Sequence, residues 1–201
     1  MKWVRTLLDE VLLFLRDRLN ADLNAGLDTT IAREDLVTFV DGEAWSPLTF
    51  RLGAISLLLV NLEEEKTLRS PDRYQRPRKG GVAQPVQPEI HLNLYVLFVA
   101  HFKQYDETLR YLTRIIQYFQ LHPLFEPGTE AALSEQLAQL SLELITLPFA
   151  EQNELWSALK VAYHPSVMYK VKMALFATAA GVGAPPVREQ MLKLAPLPAG
   201  N

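Results

Sequence analysis

Leu7, Leu8, Val11, Leu12, Leu15 and Leu19 recur at helical spacing, with Arg5, Asp9, Arg16 and Asp17 mostly on the opposite side. The pattern predicts an amphipathic helix with one buried stripe, ending between Asn20 and Gly26. Residues 36–40 predict a short strand, closed by the turn signal of Asp41 and Gly42. Residues 54–60, AISLLLV, are short, contain β-branched side chains and are unbroken by charge. Such a run suits a strand covered on both faces; continued to Leu62, it is expected as the central strand of a sheet. The pattern then reverses. Glu63, Glu64 and Glu65 cannot be buried, and a basic, proline-punctuated segment follows them.

Residues 70–88 hold Pro71, Pro77, Pro85, Pro88 and the pair Gly80 and Gly81, with almost no aliphatic side chains. They predict an unusually long loop, of a kind that is functional or disordered when found inside a compact domain. Residues 90–101 read as a second long strand, with Leu92, Leu94, Val96 and Phe98 on one face and His91, Asn93, Tyr95 and Val99 on the other. Asp106 is expected to cap the next helix, whose buried stripe is Leu109, Leu112, Ile116 and Phe119. His122 and Pro123 stop it. Leu140, Leu142 and Leu144 alternate with Ser141 and Glu143 as a half-buried strand, and Pro148 ends it. A short helix with Leu155, Trp156 and Leu159 leads to a last strand, where Val167, Tyr169, Val171, Met173 and Leu175 alternate with Met168, Lys170, Lys172 and Phe176.

Clustered strands with a few helices argue for α+β: an antiparallel or mixed β-sheet flanked by helices. The expected organisation is one α+β domain over residues 1–178, with a long basic loop at 66–89, then a Pro/Gly-rich C-terminal tail at 179–201. No internal repeat is apparent.

The 201 residues fit one domain with a proper core, and 49% hydrophobic residues make the chain too apolar for disorder. A net charge of −3 recommends neither nucleic acid nor an anionic membrane as partner. With no cysteine there is no disulfide, thiolate catalysis or cysteine-based metal site, which fits a reducing compartment. The runs 54–60 and 94–100 fall far short of the roughly 18 residues of a membrane span. Asp9 and Glu10 break the apolar start, unlike a secretory leader. The expectation is a cytoplasmic protein.

The chemistry is sparse. His91 and His101 lie ten positions apart on one strand, roughly 33 Å when extended, so they cannot share a metal. His122 and His164 each precede a proline, and all four histidines are expected to be scattered and structural. In the glutamate run Glu64 points away from Glu63 and Glu65, and no nucleophile is fixed beside them. Gly80 and Gly81 precede no helix, and prolines stand where the glycine pair Gly181 and Gly183 would open one, so no phosphate cradle is expected. No cofactor, metal, small-molecule substrate or enzyme activity is indicated.

The basic loop is different. Lys66, Arg69, Arg73, Arg76, Arg78 and Lys79 set six cations against Asp72, so residues 66–79 carry +5 and the remainder −8. Segregated charge orients self-association or docking onto an acidic partner. A plain solvated loop is the bland alternative; with Tyr74 interleaved, stacking on nucleic-acid bases is another, disfavoured by the net charge. Trp156, Tyr163, Tyr169, Tyr111 and Tyr118 are mostly expected in the core. Tyr111, Ile115 and Tyr118 lie off the expected stripe of their helix, as an aromatic band suited to an oligomer contact.

Three stretches carry a family likeness: residues 55–70 (ISLLLVNLEEEKTLRS), 92–125 (LNLYVLFVAHFKQYDETLRYLTRIIQYFQLHPLF) and 153–173 (NELWSALKVAYHPSVMYKVKM). Together they resemble the cap, or tail-terminator, proteins of extracellular contractile injection systems, the phage-tail-like particles of the antifeeding-prophage type. The likeness runs over most of residues 1–178, with nothing matching at 28–47 or after 178. It implies a non-enzymatic protein with a terminator fold, forming a hexameric ring with itself. That ring would close the distal end of the inner tube and the contractile sheath, after cytoplasmic assembly. A baseplate or adaptor subunit of the same particle is the nearest alternative, and a nucleic-acid-binding module using the arginine-rich loop a more distant one. No catalytic residue is implied.

Overall fold

The computed structural model describes residues 7–25, 35–40, 48–65, 75–76, 84–85, 90–126, 128, 130, 133–134 and 137–175. Among the described residues, three helices and eight strands follow in the order α1 (Leu7–Asn24), β1 (Val37–Phe39), β2 (Ala54–Glu64), β3 (Gln75–Arg76), β4 (Gln84–Pro85), β5 (Ile90–His101), α2 (Tyr105–Leu121), β6 (Leu124–Phe125), β7 (Leu137–Ile145), α3 (Phe149–Leu159) and β8 (Ser166–Leu175). Six strands form one mixed sheet in the order β1-β2-β5-β8-β7-β6. Only β1 and β2 run parallel; the other neighbours are antiparallel. The expected α+β class therefore stands. β2 is not the central strand, however: β5 and β8 occupy the middle, and β2 lies one place from the edge.

Alternation along the strands divides the core in two. On one face Ile55, Leu57, Leu94, Val96, Phe98, Tyr169, Val171 and Met173 pack against α1 and α2. On the other, Leu58, Leu97, Val99 and Met168 pack against Trp156 of α3 and against Leu48 and Phe50. The expectation that the start of β2 is covered on both faces holds, with Ala54, Ile55, Ser56, Leu57 and Leu58 all buried. Gly53, at φ 78°, makes the tight entry into this strand, and its N–H donates to His101 O. A positive φ is available to glycine without a Cβ clash.

Four expectations need correction. Asp106 does not cap α2; the N-cap is Gln104, without a side-chain cap bond, and Asp106 pairs with Arg110 one turn on, at 3.2 Å. The buried stripe of α2 is Thr108, Leu112, Ile115, Tyr118 and Phe119, while Leu109 is 45% exposed. Tyr163, expected in the core, is 59% exposed. The long loop also contains a minimal antiparallel ladder, Gln75 opposite Pro85 and Arg76 opposite Gln84.

A β-bulge sets the sidedness of β2. Leu59 pairs with Val96 and Asn61 with Tyr95, leaving Val60 as an extra residue. Bulges re-aim the side chains beyond them. Here the shift places Asn61 and Glu63 on the face that holds Tyr95, and Leu62 on the face that holds Leu94.

Candidate functional site

Beyond the bulge, the α3-side face of the sheet turns polar. Its rows follow from the register: Asn61, Tyr95, Lys170 and Glu143 form one, and Glu63, Asn93, Lys172 and Ser141 the next. Tyr95 donates its hydroxyl to Glu63 Oε2 at 2.9 Å, and Asn93 Nδ2 donates to Glu65 Oε2 at 3.0 Å. Lys170 stands over the Tyr95 ring, 5.9 Å from its centroid, and Lys172 pairs with Glu143 at 2.7 Å. The bond to Glu63 pushes the Tyr95 phenol up, with burial and the charges of Glu63, Glu65 and Glu143 adding to it. The bond from Lys172 holds the Glu143 carboxyl below its usual range. The reading of the glutamate run holds: Glu63 and Glu65 both bond to β5 side chains of this face, and Glu64 lies on the other.

The basic segment leaves the sheet from the end of β2 that carries these glutamates and returns at β5. Of the expected docking residues, Lys66, Arg69, Arg73, Tyr74, Arg78 and Lys79 lie outside the described residues, and Arg76 is placed only as a backbone partner of Gln84. The second group is placed in full. Ile115 is completely buried, Tyr118 is 8% exposed, and the half-buried Tyr111 stacks on Phe102 at 4.5 Å. These three side chains point into the chain's own core, so the aromatic band is not the outer stripe of α2. Its exposed large apolar residues are Tyr105 and Leu109, one turn apart, and Leu121 at the C-terminal end.

The histidines are less scattered than expected. His101 and His164 meet edge to face at 5.0 Å, flanked by Phe50 and Trp156. His101 Nδ1 lies 3.0 Å from Phe50 O and His164 Nδ1 2.8 Å from Ala162 O, so backbone carbonyls orient both rings. Among the described residues no three histidine, aspartate or glutamate side chains gather as a metal site. Periodicity within β5 could not reveal this pair. It arises because Ala100 N donates to Pro165 O, which brings the chain before β8 alongside the end of β5.

The sequence pattern that defines the Pvc16 N-terminal domain matches residues 10–189. The chain belongs to the Pvc16 N-terminal domain family. A comparison with curated protein sequences finds no match. Two solved structures share the fold. One is the PVC sheath/tube terminator of an extracellular contractile injection system in its extended state, at 14% identity and a TM-score of 0.56, over 98% of this chain and 66% of that one. The other is the tube-terminating cap of the anti-feeding prophage, at 12% identity and a TM-score of 0.55, over 94% of this chain and 62% of that one. This Pvc16 N-terminal domain thus spans less than two thirds of the length of either structure. The six-stranded mixed sheet with its flanking helices is the fold shared with both.

Proposed function

We propose that this chain acts as a terminator: it closes the distal end of the inner tube and contractile sheath of a phage-tail-like injection particle. It does so as a hexameric ring, assembled in the cytoplasm before it becomes part of the particle, and it catalyses no reaction. The observation that carries this reading is the family match over residues 10–189, joined to a fold shared with two terminator caps. The polar sheet face supports it. Lys172 pairs with Glu143 across the strands, Tyr95 and Asn93 bond Glu63 and Glu65, and Lys170 stands over the Tyr95 ring, an arrangement that presents a polar surface of mutually engaged groups. A closed ring needs unlike surfaces that meet head to tail, and the +5 segment at 66–79 against an acidic remainder provides a pair of them.

The test is electron microscopy of particles assembled without this chain. Tubes and sheaths of unregulated length are expected. Missing baseplates with normal tube lengths would assign the chain to the baseplate or an adaptor and overturn the terminator reading. Nucleic-acid affinity that falls steeply with salt would redirect the basic loop to that ligand.

A further inference from the structure

His101 closes β5 and His164 stands just before β8, and the two rings are set alike. His101 Nδ1 lies 3.0 Å from Phe50 O, and His164 Nδ1 lies 2.8 Å from Ala162 O. A carbonyl oxygen only accepts, so each Nδ1 carries the proton of the neutral ring and each Nε2 keeps a bare lone pair. Metal-ligating imidazoles have this form: one nitrogen binds the ion while the other donates to a carbonyl, which fixes the tautomer and the ring.

The spacing of the rings fits one shared ion. A histidine nitrogen binds zinc at about 2.0–2.1 Å, and the ring centre lies about 1.2 Å behind that nitrogen. Two imidazoles at a tetrahedral angle on one zinc therefore have their centres about 5.2 Å apart. The centres of His101 and His164 are 5.0 Å apart, with the ring planes at 81°. A ligating ring turns about its bond to the metal, so crossed planes are compatible with a shared ion. Both rings are half-buried, and Phe50 and Trp156 flank His164 at 5.2 and 6.0 Å.

His122 supplies the contrast. Its Nδ1 lies 3.0 Å from Tyr118 O, which sets the same tautomer, but its ring neighbours are Tyr118 and Phe125. It offers one lone pair where the other site offers two. Imidazole donors suit zinc, copper and nickel, whereas magnesium and calcium take oxygen ligands. Among the described residues no third histidine, aspartate or glutamate completes the pair as a closed cage. Water fills the remaining positions of such a site, and the ion exchanges.

We propose that His101 and His164 form a two-histidine clip for a divalent ion of the zinc, copper or nickel kind. Both Nε2 atoms bind the ion, which ties the chain before β8 to the end of β5. The proposal stands apart from the terminator reading. An ion held by the folded chain alone stabilises it by mass action.

The test adds zinc chloride to the untagged full chain labelled with ¹⁵N and follows the histidine ring nitrogens, assigned through their backbone resonances. The Nε2 signals of His101 and His164 should move upfield together and stop moving at one equivalent, while those of His122 stay in place. His101→Gln and His164→Gln should each weaken zinc binding at least about tenfold, the least that losing an outer partner of a ligand costs. The thermal midpoint of the wild type should rise with added zinc, and those of the two variants should not. Movement of one ring without the other, equal movement of His122, or no movement in excess zinc overturns the proposal. The wild-type titration decides this whatever the variants do to the fold.

Discussion

Asn20 hydrogen-bonds both backbone groups of Val37: its Nδ2 donates to Val37 O at 2.9 Å, and its Oδ1 accepts from Val37 N–H at 2.8 Å. Val37 sits in the three-residue edge strand β1, and Leu36 O accepts from Ile55 on the β2 side. The carboxamide of a helix residue therefore takes the place of a further strand. It satisfies a buried donor and acceptor while occupying an edge that would otherwise invite another chain.

Asn20→Leu should destabilise the fold by about 2–4 kcal/mol, since it strands two buried backbone groups. Urea unfolding followed by circular dichroism checks this. A midpoint within error of the wild type would show that Val37 finds other partners.

Arg114 does a related job for α1. Its Nη1 donates to Leu23 O at 2.9 Å and its Nη2 to Asp22 O at 2.7 Å, so a cation from α2 closes the carbonyl end of α1. Those carbonyls carry the negative end of the helix dipole. Arg114→Leu should cost about 2 kcal/mol and speed amide exchange in the last turn of α1. Lysine should rescue little, because one ammonium cannot reproduce the planar fork.

The rotation of α2 can be tested by contrast. Ile115→Ala removes a fully buried side chain and should cost about 2–5 kcal/mol, whereas Leu109→Ala on the exposed side should stay within about 0.5 kcal/mol. Equal effects would mean that both sides of the helix are covered.

Tyr169 makes alkaline pH informative. Burial beside Phe98 and Phe119 pushes its phenol up to about 12, from the ordinary 10.0. The folded chain keeps this proton where the unfolded chain has released it. The contribution is present in full below pH 10 and is lost as pH rises towards about 12, by up to about 1.4 kcal/mol per unit. Tyr169→Phe should flatten the alkaline limb of a stability profile, leaving a smaller slope from Tyr95 and Tyr118, which are raised too.

The basic segment yields the prediction closest to function. Changing Arg73, Arg76 and Arg78 together to glutamate should abolish length control of the particle while the monomer stays folded. Normal lengths from a particle carrying this triple variant would remove the segment from the docking account.

Helices and long strands were legible because one apolar period runs through each of them. The errors fall where that information is ambiguous. In α2, Leu109 and Ile116 on one side compete with Ile115 and Tyr118 on the other, and hydropathy alone does not rank them. Packing decides: Phe119 lies 5.7 Å from Phe98 and 4.8 Å from Tyr169, and this phase carries Ile115 and Tyr118 inward. The two-residue β6 was missed because Leu124 and Phe125 have too little length for a period; pairing with Leu140 and Ser141 defines the strand. The meeting of His101 with His164 required the partner of β5 to be known, and no local pattern carries that.

The spare residue Val60 has one more consequence. Removing it would merge the two stretches of ladder on either side into a regular one, and every side chain from Asn61 onward would keep its present side. Removing a residue from the run 54–58 would instead turn the preceding part of the strand inside out. β2 therefore has one point at which its length can change by a residue without exchanging core for solvent, and that point lies where the apolar half of the sheet gives way to the charged one.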